Sequence, residues 1–198
     1  FALLVVYYHD LEVRAPLIAA SWLLATLPVA LVLANLVLAP YERHAQRTFY
    51  REAVARLAHA IQRGETVGVF GDYDVDGACS GALLVDYWRD AGAPEPLLHI
   101  PDRIFEGYGP NIEAIRTLAG QGATLLVTVD CGTTSIEPLT EAKKLGLDTV
   151  VIDHHHADEQ LPPAIAIVNP NRADDLSGLG HLAAVGRVEG LALRTGAE

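Results

Sequence analysis

The chain has 198 residues, 51% apolar and 20% charged, which excludes wholesale disorder and allows a core that needs no disulfide or metal staple. Its formal net charge of −11 excludes a generally basic nucleic-acid-binding surface, though not a local one. Two cysteines, Cys79 and Cys131, cannot build a disulfide framework and fit a reducing, cytoplasmic compartment.

The chain begins at Phe1 and contains no methionine, so it reads as a fragment or as a chain whose start is not shown. Residues 1–48 form an apolar N-terminal segment. Within it, Leu17–Leu38 carries no charge and is long enough for a bilayer-spanning helix, with Arg14 before it and Glu42, Arg43 and Arg47 after it. Three readings stand side by side: a membrane helix kinked at Pro28, which would anchor the protein; one or two buried soluble helices; or a segment foreign to the domain.

From Thr48 to Arg63 the pattern is that of an amphipathic helix: Phe49, Ala53, Val54, Leu57, Ala58 and Ile61 recur at helical spacing and Gly64 closes the run. Strands and helices then alternate. Thr66–Phe70, Pro96–Ile100, Ala123–Val129, Asp148–Ile152 and Ala164–Val168 read as strands. Ala78–Asp90, Pro110–Ala119 and Ser135–Leu145 read as helices between them. The alternation predicts an α/β fold with a parallel, doubly wound sheet, helices on both faces and near-continuous apolar strands.

In such a sheet the site lies beyond the carboxyl ends of the strands. There the sequence places Asp72, Asp74 and Asp76 after the first strand, Asp130-Cys131-Gly132 after the third and Asp153-His154-His155-His156 after the fourth. One aspartate at a strand end is an ordinary helix cap, but three such ends together point to a convergent site. Carboxylates with imidazoles suit Mn²⁺ or Mg²⁺ better than Zn²⁺, since no cysteine ligand set is present. A cation would also offset the repulsion between Asp74 and Asp76, and Asp130 is placed to bridge a metal pair. The Asp72–Gly77 run resembles the start of a calcium loop, but its twelfth position is Leu83 rather than Glu.

Phe70–Ser80 (FGDYDVDGACS) and Asp153-His154-His155 resemble two motifs of the DHH phosphoesterases. Ile100–Gly109, Val127–Ser135 and Val151–Arg172 extend the resemblance to the RecJ-type single-strand-specific exonucleases within that superfamily, over about Arg51 to Gly186. The resemblance implies a DHH domain over residues 49–198, incomplete at its C-terminus. It implies metal ligands at Asp74, Asp76, Asp130 and His154, with Asp72 in the same loop. It implies substrate contacts at Arg103 and Tyr108, and a His155 that supports the scissile phosphate. Gly77, Gly107, Gly109 and Gly132 would allow tight turns near the metals, Ser80 is placed to cap a helix, and Cys131 reads as small buried filler. The activity implied is Mn²⁺- or Mg²⁺-dependent hydrolysis of single-stranded DNA from its 5′ end, in repair and recombination, without a covalent intermediate. The alternative is a DHH phosphodiesterase for a small substrate such as a cyclic dinucleotide, an oligoribonucleotide or pyrophosphate, anchored to a membrane if residues 17–38 span one. A third reading keeps the fold and the metal but not turnover.

The resemblance also calls for features this stretch lacks. Arg187–Glu198 is charged and interrupted by glycine where an apolar helix is expected. A further metal-binding aspartate and the partner domains that build the DNA groove would follow it. The expectation is therefore a chain that binds metal but hydrolyses DNA weakly or not at all.

Overall fold

The computed structural model describes residues 50–175 and 177–195, with side chains described as far as Leu191. The apolar segment 1–48 and its candidate membrane run 17–38 lie outside the described residues. Among the described residues no helix is long and apolar enough to cross a membrane.

Helix α1 occupies residues 50–63. It is followed by β1 (Val67–Gly71), α2 (Val75–Asp90), β2 (Leu97–His99), α3 (Ile112–Gly120), β3 (Leu125–Val129), α4 (Ile136–Lys144), β4 (Asp148–Ile152), β5 (Ala166–Val168) and α5 (Ala184–Thr195). The five strands form one sheet in the order β2-β1-β3-β4-β5, and every neighbouring pair is parallel. Side chains alternate across it as strand geometry requires. Leu125, Val127 and Val129 pack into a core with Leu57 of α1, Leu84 and Trp88 of α2, and Val188 and Leu191 of α5. Leu126 packs on the opposite face with Ile115 and Leu118 of α3 and Leu139 of α4. Helices thus cover both faces, which explains why β1 and β3 are buried along their whole length.

Two sequence readings change. Helix α2 starts at Val75 rather than Ala78, because Asp74 caps it by accepting from the Gly77 N–H at 3.0 Å. Ser80 therefore lies buried inside the helix and caps nothing. The run after Gly186 also stays helical to Thr195 despite its glycines and charges. Ala184, Val188 and Leu191 recur at helical spacing and are fully buried, which outweighs about 1 kcal/mol of helix propensity lost per glycine. The charge at Arg187 is buried with the helix, its Nη2 donating to the Leu179 carbonyl at 2.7 Å.

Candidate metal centre

The parallel register sets the site. Each strand ends level with its neighbour, and the next residue continues the ladder for one bond. Asp72 N–H donates to Val129 O (3.2 Å), Asp130 N–H to Ile152 O (2.9 Å) and Asp153 N–H to Val168 O (3.0 Å). Asp72, Asp130, Asp153 and Asn169 therefore stand in a row, one residue beyond β1, β3, β4 and β5. The chain leaves β1 toward β2 on one side and returns to β3 on the other, so Asp72 and Asp130 flank the point where strand order reverses. Open α/β sheets bind ligands at such a point.

Asp130 is the centre of the row. It is 0% exposed, and no donor is properly directed at either of its carboxylate oxygens. Its backbone sits at φ 61°, the left-handed region that a non-glycine residue adopts at a cost. Burial, then the neighbouring Asp74 and Asp76 carboxylates, push its pKa up to about 8. Around it lie two groups of donors, each with its ligand atoms within 4.8 Å of one another: Asp72, Asp74 and Asp130, and Asp130, His154 and His155. Asp130 belongs to both. His154 Nε2 is 3.0 Å from Asp130 Oδ1 and 3.5 Å from Asp76 Oδ2. Asp76 stands outside both groups, its oxygens turned to the start of α5. Burial raises the Asp72 carboxyl above its ordinary range, whereas the Gly77 amide lowers that of Asp74.

A second row of polar groups orients the first. Asp153 is 1% exposed, yet it accepts four hydrogen bonds. They come from Thr133 N–H (3.0 Å), His154 N–H (2.7 Å), His155 N–H (3.1 Å) and the His155 ring Nδ1 (2.8 Å). Burial opposes its charge, but the hydrogen bonds from Thr133 and His155 prevail and hold its carboxyl below the ordinary range. An ionised carboxylate only accepts, so Nδ1 of His155 carries the proton of that bond, and Nε2 lies 3.4 Å from the Tyr108 hydroxyl. Asn169 closes the network, donating to Thr133 Oγ1 (2.8 Å) and the His155 carbonyl (2.9 Å), while Asn171 donates to the His154 carbonyl. Gly132 is required here: at φ 108° a Cβ would lie 2.5 Å from Thr128 Oγ1.

The loop between β2 and α3 brings a third set of residues to the site. Glu106 ties it together, accepting from His99 (2.8 Å), Asn111 (3.0 Å) and the Asp102 amide (2.9 Å). The loop places Tyr108 edge-on to Tyr73 at 6.4 Å and to His155 at 5.7 Å, with its hydroxyl 3.2 Å from His155 Nδ1. Burial, and then the nearby carboxylates led by Asp153, push the Tyr108 phenol up. Arg103 lies over the Tyr73 ring at 5.5 Å and makes no ion pair among the described residues. Arg103, Tyr73, Tyr108 and His155 thus form a continuous wall leading to Asp130. Cys131 is buried, as filler would be.

The model of the DHH family, N-terminal domain, matches residues 66–192. This chain belongs to the DHH family. The DHH match is accompanied by likeness to single-stranded-DNA-specific exonucleases RecJ. The chain is 38% identical over 136 residues to that of Bacillus subtilis (strain 168), covering 69% of this chain and 17% of the relative. It is 39% identical over 135 residues to that of Escherichia coli (strain K12), covering 68% and 23%. It thus spans about a fifth of the length of these relatives. A crystal structure of exonuclease RecJ bound to manganese matches with a TM-score of 0.66 and 33% identity, over 73% of this chain and 36% of that one.

The donor set fits a divalent cation on this structure's own terms. A fully buried aspartate with two unserved oxygens, shared by an acidic trio and a histidine pair, is costly without a positive partner. Of the residues singled out in the sequence, Asp72, Asp74, Asp130, His154, His155 and Tyr108 converge, and Arg103 lies one aromatic ring away. Thr133 and Asn169 were not among them, and Asp153 was named there only as the first residue of its strand-end motif, with no role of its own. Asp153 opens the motif and Asn169 follows a strand, but nothing in the sequence shows that they bond to the same histidine.

Proposed function

We propose that this chain is the metal-binding catalytic domain of a cytoplasmic, Mn²⁺- or Mg²⁺-dependent nuclease. Its substrate is single-stranded DNA, digested from the 5′ end in repair and recombination. The observation that carries this reading is Asp130, buried, without a directed donor and common to both donor groups. Asp72, Asp74, Asp76, Asp130 and His154 are the ligands, and likeness to RecJ proteins supports manganese and a DNA strand as what they meet. A divalent cation there supplies Lewis acidity to the phosphate and lowers the pKa of water.

The chain's own residues do the rest. Asp153 fixes the orientation of the His155 ring, whose Nε2, beside the Tyr108 hydroxyl, would contact the phosphate. Tyr108 packs against that ring, and the Arg103 guanidinium offers a planar fork for a phosphate oxygen pair. The exposed Phe105 and the wall of Tyr73 and Tyr108 suit stacking of unpaired bases. Residues 49–198 form the domain concerned. The free state of Cys79 and Cys131 supports the compartment.

The test is a Mn²⁺ titration of the purified chain beside Asp130→Ala, followed by incubation with 5′-labelled single-stranded DNA with and without EDTA. The reading expects Mn²⁺ binding, and any mononucleotide release, to disappear in the variant. Mn²⁺ affinity unchanged by Asp130→Ala would sink it. Release from a cyclic dinucleotide or pyrophosphate in preference to DNA would replace the substrate with that of a small-molecule phosphodiesterase.

A further inference from the structure

Helix α5 begins at Ala184 after Leu182 and Ala183, neither of which has a side-chain oxygen to cap it. Its first turn contains no acidic residue. The orphan amides are met from a distance by Asp76: Oδ2 accepts from Ala184 N–H at 2.7 Å and Oδ1 from Val185 N–H at 3.0 Å, 108 and 109 residues away in sequence. The same Oδ2 lies 3.5 Å from His154 Nε2. One carboxylate therefore joins the start of α5 to the donor cluster around Asp130. Two oxygens offer about four lone-pair sites, so the amides can be served while others face the cluster.

We propose that the first turn of α5 is part of the metal centre. Its two amides are positioning groups that hold Asp76 in the rotamer facing His154, and cation binding and α5 docking strengthen each other. This rests on the metal-centre reading above. A cation beside Oδ2 selects the rotamer that also accepts the two amides, so each event removes the rotamer freedom the other must overcome. By linkage, a helix that tightens on metal loading must in turn tighten metal binding.

The test uses the whole chain, Mn²⁺ alone as the probe, calorimetry for affinity and amide hydrogen exchange for α5. Without metal, Asp76→Ala should speed exchange of the first α5 amides at least about fivefold, and adding Ala183→Ser, which supplies a local cap, should restore them. In the wild-type chain Mn²⁺ should slow the same amides. Ala184→Pro removes one donor at the helix position where proline is tolerated, replaces no ligand side chain, and should weaken Mn²⁺ binding about tenfold. If that variant loses its helix signal, Val185→Pro takes its place. Wild-type chain that binds Mn²⁺ with no change in α5 exchange, together with unaltered affinity in the proline variants, overturns the coupling and leaves the metal centre standing. Absence of Mn²⁺ binding in the wild-type chain overturns both.

Discussion

Replacing Asp153 by asparagine is the sharpest test of how the second row of the site works. The carboxylate accepts one bond at Oδ2, from Thr133 N–H, and three at Oδ1, from the His154 amide, the His155 amide and the His155 ring. An amide has only one oxygen. In the orientation that keeps the three Oδ1 bonds, its NH₂ group faces the Thr133 amide, donor against donor; the flipped orientation forfeits three bonds to save one. The better orientation loses one bond to a charged acceptor, about 1.5–3 kcal/mol, and leaves a buried amide unpaired for about 1 kcal/mol more. The total, about 2.5–4 kcal/mol, corresponds to a fall of about 5–16 °C in Tm for a chain of this size. The His155 ring also loses the anion that sets its tautomer, and disturbing such an orienting partner lowers metal affinity about 10–100-fold. Thermal melting by circular dichroism, a Mn²⁺ titration and ring ¹⁵N shifts of His155 read the three effects separately. A Tm within about 1 °C of wild type, with the His155 tautomer unchanged, would refute the assignment of Asp153 as the group that orients the histidines.

Gly77→Ala should destabilise the chain by about 1–3 kcal/mol and weaken Mn²⁺ binding. A Cβ there would lie 2.5 Å from the Asp72 carbonyl oxygen and 2.7 Å from its nitrogen, so the acidic loop must move. Wild-type stability and affinity in this variant would contradict the packing. At the opposite, amino end of the strands, Glu65 is held by Arg56 at 2.7 Å and by Thr124 at 2.7 Å. The Arg56 guanidinium lowers its pKa from 4.5 to about 2. A folded-state pKa below the unfolded value gives stability that is present above pH 4.5 and lost as pH falls toward 2. The shift corresponds to about 3 kcal/mol. Glu65→Gln should therefore unfold at lower urea than wild type at pH 7, and the gap should close in acid; a gap independent of pH would show that the ion pair is not its source.

Much of the fold was legible along the chain, because a strand buried on both faces must be continuously apolar. Leu125–Val129 and Asp148–Ile152 announced themselves in that way. Boundaries were less legible where a side chain and not the pattern sets them, as when Asp74 starts α2 three residues early. The end of the chain misled for a related reason. Glycines and an arginine argue against a helix locally, but burial of Val188 and Leu191 against the sheet and α2 overrides that local preference.

The site divides along the same line. Local sequence by itself determined which chemistry is present, since carboxylates and imidazoles at strand ends are visible as residue types next to apolar runs. Only the tertiary structure decided how they are used. Strand order places Asp72 beside Asp130, and register levels Asp153 and Asn169 with them. The fold sends Asp76 to cap a helix more than a hundred residues away. Those outcomes depend on pairing between distant segments, and an i-to-i+2 pattern holds no information about which strand becomes whose neighbour.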